Sequence, residues 1–354
     1  MRKLRAVFLF WCFTCLAFYF GFAGYSYGAE QIRISGSSTV FPYAKVVADE
    51  FHEIYPNFKV PVVESGGSGS GIKEFCRSDS EDSLDIVNAS RPMNASELQA
   101  CFADGVRDTE QIIFGYDGIV FATSKNASAN WALEAADVYR ALAAKVVRNG
   151  VLIDNNFNSW QEINKNLPNW PIETYIPGEK HGTREVFEEK LLLAGCKTSG
   201  AASLMAKMGL SPAFIKTACV AVRRDGKAID VDGDYSETLA RLDANKTAVG
   251  VFGLAFYESN ADKLDVATVN KIKPTAQSVA SGVYSVSRPL YFYVKKSHLP
   301  IRPGLKEYVD YFLSEAMIGE DGEVVDYGLV PAPKQQRVAQ RKAFAAGVIL
   351  QNAK

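Results

Sequence analysis

Four short stretches combine hydroxyl, glycine and guanidinium groups where a strand pattern passes into a helix pattern. They are GSSTVFP (36–42), ESGGSGSGIK (64–73), NASRPM (88–93) and PGEKHGTREVF (177–187). Hydroxyls and unpaired backbone N–H groups at helix starts bind anions, and arginine adds a planar fork of donors. The combination indicates a site for a small oxyanion, held by many neutral donors and one or two cations.

The first stretch places three hydroxyl residues, Ser37, Ser38 and Thr39, directly before a helix pattern. One hydroxyl is enough to cap a helix, so an ordinary cap explains one of the three. A cluster of hydroxyls and free N–H groups at the same place is a ready cradle for an anion. The stretch by itself leaves both interpretations open.

The second stretch has the most permissive backbone in the chain. Glycine lets the backbone approach a ligand with its N–H groups turned inward, although a flexible surface loop has the same composition. Gly66 and Gly71 have the spacing of a nucleotide-binding phosphate loop, but Ile72 and Lys73 stand where Lys and Ser/Thr are required. No Gly-x-Ser-x-Gly pattern surrounds Ser68, which argues against a hydrolase elbow.

The third and fourth stretches supply the positive charge. Arg91 follows an apolar strand pattern directly, where it can bind an oxyanion or lie at a surface turn. Arg184 stands in the first turn of a helix pattern, against the helix dipole, and therefore needs an anion nearby. Glutamates of the same helix or a bound anion can provide it. His181 can donate a hydrogen bond, but a lone histidine is more often structural.

The elements that must position these stretches alternate between strand and helix patterns from residue 31 onward. The alternation predicts βαβ units, an α/β fold and a mostly parallel sheet. An amphipathic pattern predicts a helix over 135–147, and another predicts one over 304–317. No linker separates two halves, so we expect two lobes joined by strands that cross between them, at 114–122 and 288–294.

Length and composition fit an exported globular protein. The 354 residues are 47% hydrophobic and 22% charged, and they suggest about two domains. A basic start, a long uncharged apolar run and small residues at Ser26 and Gly28 predict a signal peptide over 1–28, with an uncleaved membrane anchor as the alternative. Without it 36 basic and 40 acidic residues remain, a net charge of −4, which argues against nucleic-acid binding.

Four cysteines remain after the predicted signal peptide. An even number in an oxidising compartment suggests two disulfides. Three pairings are possible, and closeness in sequence favours Cys76–Cys101 and Cys196–Cys219. Each would close a loop of about 25 residues, worth about 3 kcal/mol. A zinc site is the weaker alternative, because no Cys-x-x-Cys or Cys/His grouping with ligand spacing occurs outside the predicted signal peptide.

Six segments together resemble the periplasmic phosphate-binding proteins (PstS-like) of bacterial ABC phosphate importers. They are ISGSSTVFPYAKVVADEF, VVESGGSGSGIKEFC, DIVNASRPM, GYDGIVFA, IPGEKHGTREVFEEK and SRPLYFYVKK, and the resemblance covers essentially all of the mature chain. It implies an α/β two-lobed periplasmic-binding-protein fold (type II) with two crossing hinge strands. Lobe 1 would comprise 29–117 and 287–354, and lobe 2 would comprise 118–286.

The resemblance also implies a function and a ligand set. The protein would be a monomeric, non-enzymatic periplasmic binder of inorganic phosphate, without cofactor or metal, that serves an ABC permease complex in the inner membrane. Motif by motif, the phosphate ligands would be drawn from Ser37, Ser38, Thr39, Val40, Ser68, Gly69, Ser90, Arg91, His181, Gly182, Thr183 and Arg184, with Lys180 nearby.

Two departures from the best-known branch of the family change the charge pattern of the site. That branch has an aspartate where Arg91 stands, and the aspartate accepts a proton from phosphate and so rejects sulfate. It also has arginine and serine where Pro177 and His181 stand. Glu64 or Asp117 could take the acceptor role. The alternatives are a binder of another tetrahedral oxyanion, sulfate or molybdate, and a secreted phosphatase; three histidines and no nucleophile motif argue against the phosphatase.

Overall fold

A computed structural model describes residues 31–125, 127, 131–179 and 181–351. The predicted signal peptide and Lys180 lie outside these residues. Within them, every helix is too short or too polar to span a membrane.

Strands and helices alternate along the described chain, as the sequence pattern predicts. The strands are β1 Arg33–Gly36, β2 Val62–Val63, β3 Ile86–Ala89, β4 Thr109–Ser124, β5 Ala132–Leu133, β6 Lys145–Arg148, β7 Val151–Asp154, β8 Thr174–Pro177, β9 Ala228–Val231, β10 Val249–Gly253, β11 Leu264–Val266, β12 Thr268–Val269, β13 Ser287–Lys295 and β14 Val330–Pro331. The α-helices are α1 Phe41–Ile54, α2 Ser68–Phe75, α3 Ala95–Ala103, α4 Ala135–Leu142, α5 Trp160–Ile163, α6 Gly182–Val186, α7 Ala194–Thr198, α8 Ala201–Lys207, α9 Pro212–Val220, α10 Tyr235–Ala244, α11 Leu254–Ser259, α12 Ala276–Ala280, α13 Leu305–Phe312, α14 Glu315–Ile318 and α15 Lys334–Ala345. A π-helical segment, Phe187–Leu193, joins α6 to α7, and 3₁₀ turns form at Lys296–His298 and Glu323–Val325.

One large sheet runs through the molecule in the order β2-β1-β3-β13-β4-β10-β8-β9. The three strands at each end pair in parallel, whereas β13 and β4 in the middle run antiparallel to each other and to their outer neighbours. The prediction of a mostly parallel sheet is therefore wrong for the sheet as a whole. It holds within each end, where helices connect the strands.

The long strand β4 belongs to both ends of the sheet. Its first part, Thr109 to Gly118, pairs with β13, and residues Ile119 to Ala122 pair with β10. The strand is buried almost throughout, which explains its nearly continuous apolar sequence. Arg288 near the start of β13 lies opposite Asp117 in the middle of β4. The sheet thus places a cation and an anion side by side where its two ends meet.

The apolar interior is divided in the same way. One cluster includes Phe114, Phe292 and Phe312, with ring centroids 4.8–6.0 Å apart. Another is built almost wholly from residues between 116 and 286, with Trp160 and Phe252 among its fully buried side chains. The lobe bounds given above remain a prediction.

Two local predictions need correction. The helix expected over 135–147 ends at Leu142, and Lys145–Arg148 instead pairs antiparallel with Val151–Asp154. Asn149 and Gly150 make the turn with φ of 52° and 77°, the left-handed geometry of a tight hairpin. The helix expected over 304–317 is split into α13 and α14, with Ser314 at the start of the second.

Both predicted disulfides are present. Cys76–Cys101 ties the end of α2 to α3, and Cys196–Cys219 ties α7 to α9. The first bond anchors the helix whose N-terminus carries the Gly/Ser loop.

Candidate functional site

Three of the four polar stretches leave neighbouring parallel strands at the same edge of the sheet, and the fourth meets them from the other end. Carboxyl ends of parallel strands form the usual ligand crevice of open α/β sheets. A cavity of about 350 Å³ opens here. It is lined by Ser37, Ser38, Thr39, Gly67, Ser68, Glu179, His181, Gly182, Arg184, Glu185 and Glu188. A larger cavity of about 500 Å³ lies elsewhere, along Ala276 and Leu329, and its lining is mainly apolar.

The three hydroxyls before α1 have different roles. Ser37 Oγ accepts the N–H of Val40 at 3.4 Å, so this hydroxyl forms the turn that precedes the helix. Ser38 Oγ accepts from Ser65 Oγ at 3.0 Å at an exposed position. Thr39 faces the cavity and is discussed with Arg288 below. Val40 itself is buried. One hydroxyl therefore shapes the turn before the helix and another lines the cavity, so each interpretation applies to a different residue.

The Gly/Ser loop turns into α2 at Gly67, whose φ of 85° favours glycine. Ser68 Oγ accepts the backbone N–H of Ser90 at 3.1 Å and lies 3.2 Å from Ser90 Oγ. Gly69 lies beside Arg91, because a Cβ at Gly69 would be 3.6 Å from the guanidinium. The second and third stretches are therefore hydrogen-bonded into one surface.

Arg288 is the central cation of the site, and the stretch analysis did not identify it. It is only 4% exposed. Its Nη2 donates to Thr39 Oγ1 at 2.8 Å and to the carbonyl of Gly182 at 3.3 Å. A Cβ at Gly182 would lie 2.8 Å from Thr39 Cα, so only glycine permits this close approach. Arg288 thus joins the loops from both ends of the sheet.

Two carboxylates flank this guanidinium. Asp117 Oδ2 lies 3.7 Å from Arg288 Nε, and Glu185 Oε2 lies 3.0 Å from Nη1. Burial raises the pKa of Asp117, the charge of Arg288 opposes that rise, and Glu185 adds to it. Asp117 Oδ2 has no hydrogen-bond partner in the described part of the chain. Asp117 is thus a buried counter-charge beside Arg288.

Glu185 is the carboxylate of the described cavity lining that contacts Arg288. Its Oε2 accepts from Thr39 Oγ1 at 3.3 Å and from Ser90 Oγ at 3.4 Å, in addition to the contact with Arg288. The side chain is nevertheless 59% exposed. Nearby, Tyr235 OH donates to Thr183 Oγ1 at 2.9 Å and burial raises the pKa of Tyr235.

Arg91 and Arg184, the two arginines that the sequence analysis named as candidate ligands, both form ion pairs with acidic side chains of the protein. Arg91 donates through both Nη atoms to Glu97, at 2.8 and 2.7 Å, and this hydrogen bonding raises the pKa of Arg91 and lowers that of Glu97. Arg184 is buried and donates to Glu188 Oε1 at 2.7 Å, to the carbonyl of Pro177 at 2.9 Å and to Asp230. The acids near Arg184 therefore compensate its charge.

The structure brings most of the expected residues together. Seven of them line the cavity: Ser37, Ser38, Thr39, Ser68, His181, Gly182 and Arg184. Five lie beside it or behind it: Val40, Gly69, Ser90, Arg91 and Thr183. Glu64 is exposed and outside the lining, while Asp117 is buried beneath Arg288.

The chemistry available is that of anion binding. Hydroxyl donors line the cavity, and the buried guanidinium of Arg288 contacts Thr39 and Gly182 of that lining. No group of His, Cys, Asp or Glu suited to a metal ion occurs among the described residues. Such an arrangement can hold a small oxyanion by charge-assisted hydrogen bonds.

Comparisons with known proteins agree with this architecture. A family model described as "PBP superfamily domain" matches residues 23–316. Protein SphX of Synechococcus elongatus is 29% identical over 319 residues, which cover 88% of this chain and 81% of that protein. The phosphate-binding protein PstS of Staphylococcus haemolyticus is 25% identical over 310 residues, covering 86% and 82%.

Solved structures show the same fold. The structure of a possible phosphate binding protein from Planctomyces limnophilus matches with a TM-score of 0.69 and 25% identity, over 90% of this chain and 99% of that one. PstS from Borrelia burgdorferi matches with a TM-score of 0.57 and 18% identity, over 86% and 100%. The predicted α/β two-lobed fold class is confirmed.

Proposed function

Because the chain belongs to the PBP superfamily, we propose that it is a non-enzymatic binding protein for inorganic phosphate that delivers its ligand to an ABC permease complex in the inner membrane. The relatives named above support the ligand, since they include a phosphate-binding protein and a possible phosphate binding protein over most of their length. The basic start of the sequence and the uncharged apolar run that follows it support export to the periplasm.

The observation that carries the proposal is the position of Arg288. A buried guanidinium that contacts loops from both ends of the sheet can neutralise an oxyanion between them. Thr39, Ser38 and Ser68 offer neutral donors on one side of the cavity. Phosphate suits this set, because it has four oxygens and needs several donors at once.

The proposed ligand set is the one predicted from the sequence, with Arg288 added as its principal charge. Thr39 and Ser38 contribute hydroxyls, Ser68 contributes its hydroxyl from the Gly/Ser loop, and Gly182 contributes backbone from the opposite side. Ser90 joins the set through its contacts with Ser68 and Glu185. Arg91, bound by Glu97, supports the loop beside the ligand.

A ligand favours closure of the two lobes only if the closed arrangement binds it better than the open one. Arg288 connects Thr39 with the Gly182 segment, so an oxyanion bound beside it would contact both ends of the sheet. We propose that the protein works as a monomer, which presents the loaded closed form to the permease.

Calorimetry on the mature protein tests the function directly. We expect saturable one-to-one binding of phosphate, with sulfate and molybdate binding more weakly in parallel titrations. A chromogenic phosphate ester should show no turnover beyond that of buffer. Absence of binding at millimolar phosphate would contradict the proposal, and tighter binding of sulfate would redirect it to another oxyanion.

A further inference from the structure

The carboxylate of Glu185 holds the donors that an oxyanion would use. Its Oε2 lies 3.0 Å from Arg288 Nη1, 3.3 Å from Thr39 Oγ1 and 3.4 Å from Ser90 Oγ. Thr39 and Ser90 come from loops at one end of the sheet, while Glu185 lies in α6, which follows β8 at the other end. One carboxylate oxygen therefore contacts groups from both ends of the sheet.

These donors cannot serve Glu185 and a bound anion equally. The hydroxyl of Thr39 accepts a hydrogen bond from Arg288 Nη2, so its single proton is directed at Glu185. The N–H of Ser90 is used by Ser68 Oγ, which leaves the Ser90 hydroxyl proton for Glu185 or Ser68. An anion that binds at this point must displace the carboxylate or share its donors.

Charge balance does not require Glu185 at this place. Asp117, buried beside Arg288 at 3.7 Å, already supplies one negative charge for one guanidinium. The other glutamates of the cavity lining have partners elsewhere, since Glu188 accepts from Arg184 and Glu179 lies 3.4 Å from Arg224. Glu185 adds a second carboxylate beside Arg288, and this extra negative charge opposes the binding of any free anion.

We propose that Glu185 is a specificity-determining residue, a tethered carboxylate that competes with free anions for Arg288, Thr39 and Ser90. The inference rests on the proposed function and concerns the regulation of that same site. A group fixed to the chain acts at an effective concentration of roughly millimolar or more. A free monocarboxylate has the same charge and acceptor geometry as Glu185, so it cannot displace the tethered group at ordinary concentrations.

A tetrahedral dianion can displace it. The dianion brings twice the charge to Arg288, and it has further oxygens for the hydroxyls of Ser38 and Ser68 that Glu185 does not contact. The released side chain has room to turn outward, because it is 59% exposed and lies in the first turn of α6. Phosphate binding is then an exchange of anions, and its affinity is lower than the donors alone would give.

The test uses Glu185→Ala in the full mature chain, with Glu189→Ala as the matched control. Glu189 lies four residues further along the same helical run, is 51% exposed and lines a different cavity. Phosphate is titrated into wild type and both variants by calorimetry near neutral pH, without and with excess sodium formate as a free carboxylate. Circular dichroism compares the folds.

We expect Glu185→Ala to bind phosphate at least tenfold more tightly than wild type, and Glu189→Ala to match wild type. Formate should weaken phosphate binding to Glu185→Ala and leave wild type unaffected. If Glu185→Ala binds phosphate as well as wild type or less well, or if formate competes equally with both, the inference is wrong while the proposed function stands. If no form binds phosphate, the proposed function fails and the inference falls with it.

Discussion

Replacing Arg288 by alanine should remove most of the phosphate affinity. The guanidinium presents two Nη atoms at the point where Thr39, Gly182 and Glu185 meet. Each hydrogen bond from a charged donor contributes about 1.5–3 kcal/mol. Loss of two such bonds corresponds to about 3–6 kcal/mol, or roughly a hundredfold to ten-thousandfold in the dissociation constant. Calorimetry with phosphate measures the change directly.

Arg288→Ala also leaves Asp117 buried without its cation. Breaking a buried ion pair costs about 3–5 kcal/mol of stability, so the single variant has to be checked for folding by urea denaturation. The double variant Arg288→Ala/Asp117→Asn removes both charges and should recover much of that stability. We expect it to bind phosphate as poorly as the single variant, which separates the loss of the ligand contact from the loss of the fold.

Arg91→Ala is the matched comparison, because Arg91 was the cation indicated by the sequence. Its guanidinium is already bound to Glu97 and its side chain is 39% exposed. Family resemblance predicts a large effect of this substitution, whereas the contacts in the structure predict a loss below about tenfold. An Arg91→Ala variant as impaired as Arg288→Ala would refute the assignment of the central charge to Arg288.

Three further results follow from particular contacts. Gly182→Ala should lower phosphate affinity at least tenfold in calorimetry, because its Cβ would lie 2.8 Å from Thr39 Cα; unchanged affinity would contradict this. Burial raises the pKa of Glu110 to about 7. The free energy of unfolding measured in urea should therefore fall by about 1–3 kcal/mol as pH rises from about 4.5 through 7, and a Glu110→Gln variant should lack that fall. Asp85→Ala should cost about 3–5 kcal/mol in the same assay, since it breaks the buried ion pair in which Asp85 Oδ1 accepts from Arg302 Nε at 2.9 Å; a loss below about 1 kcal/mol would be inconsistent with it.

Local sequence patterns predicted the elements well where the pattern had one interpretation. The apolar run that became β4 and the strand–loop–helix order around 174–187 are examples. The predicted helix over 135–147 was too long, because the helical spacing of the apolar residues continues beyond Leu142 into the strand Lys145–Arg148. The turn residues Asn149 and Gly150 were the available signal for a hairpin. The relative direction of the strands could not be predicted from the sequence, since strand pairing depends on contacts between segments that are distant along the chain.

The sequence alone determined which loops carry donors, because hydroxyls and glycines at strand ends are local features. It also favoured the observed cysteine pairs over the two other pairings, because the partners are close along the chain. Only the tertiary structure decided where the charge of the site lies. Arg288 is distant in sequence from Thr39 and Glu185 and is recruited by the pairing of β13 with β4. Arg91 and Arg184, which the sequence offered as ligands, are bound by Glu97 and Glu188. An arginine's partner is set by what folds against it, and spacing along the chain does not contain that information.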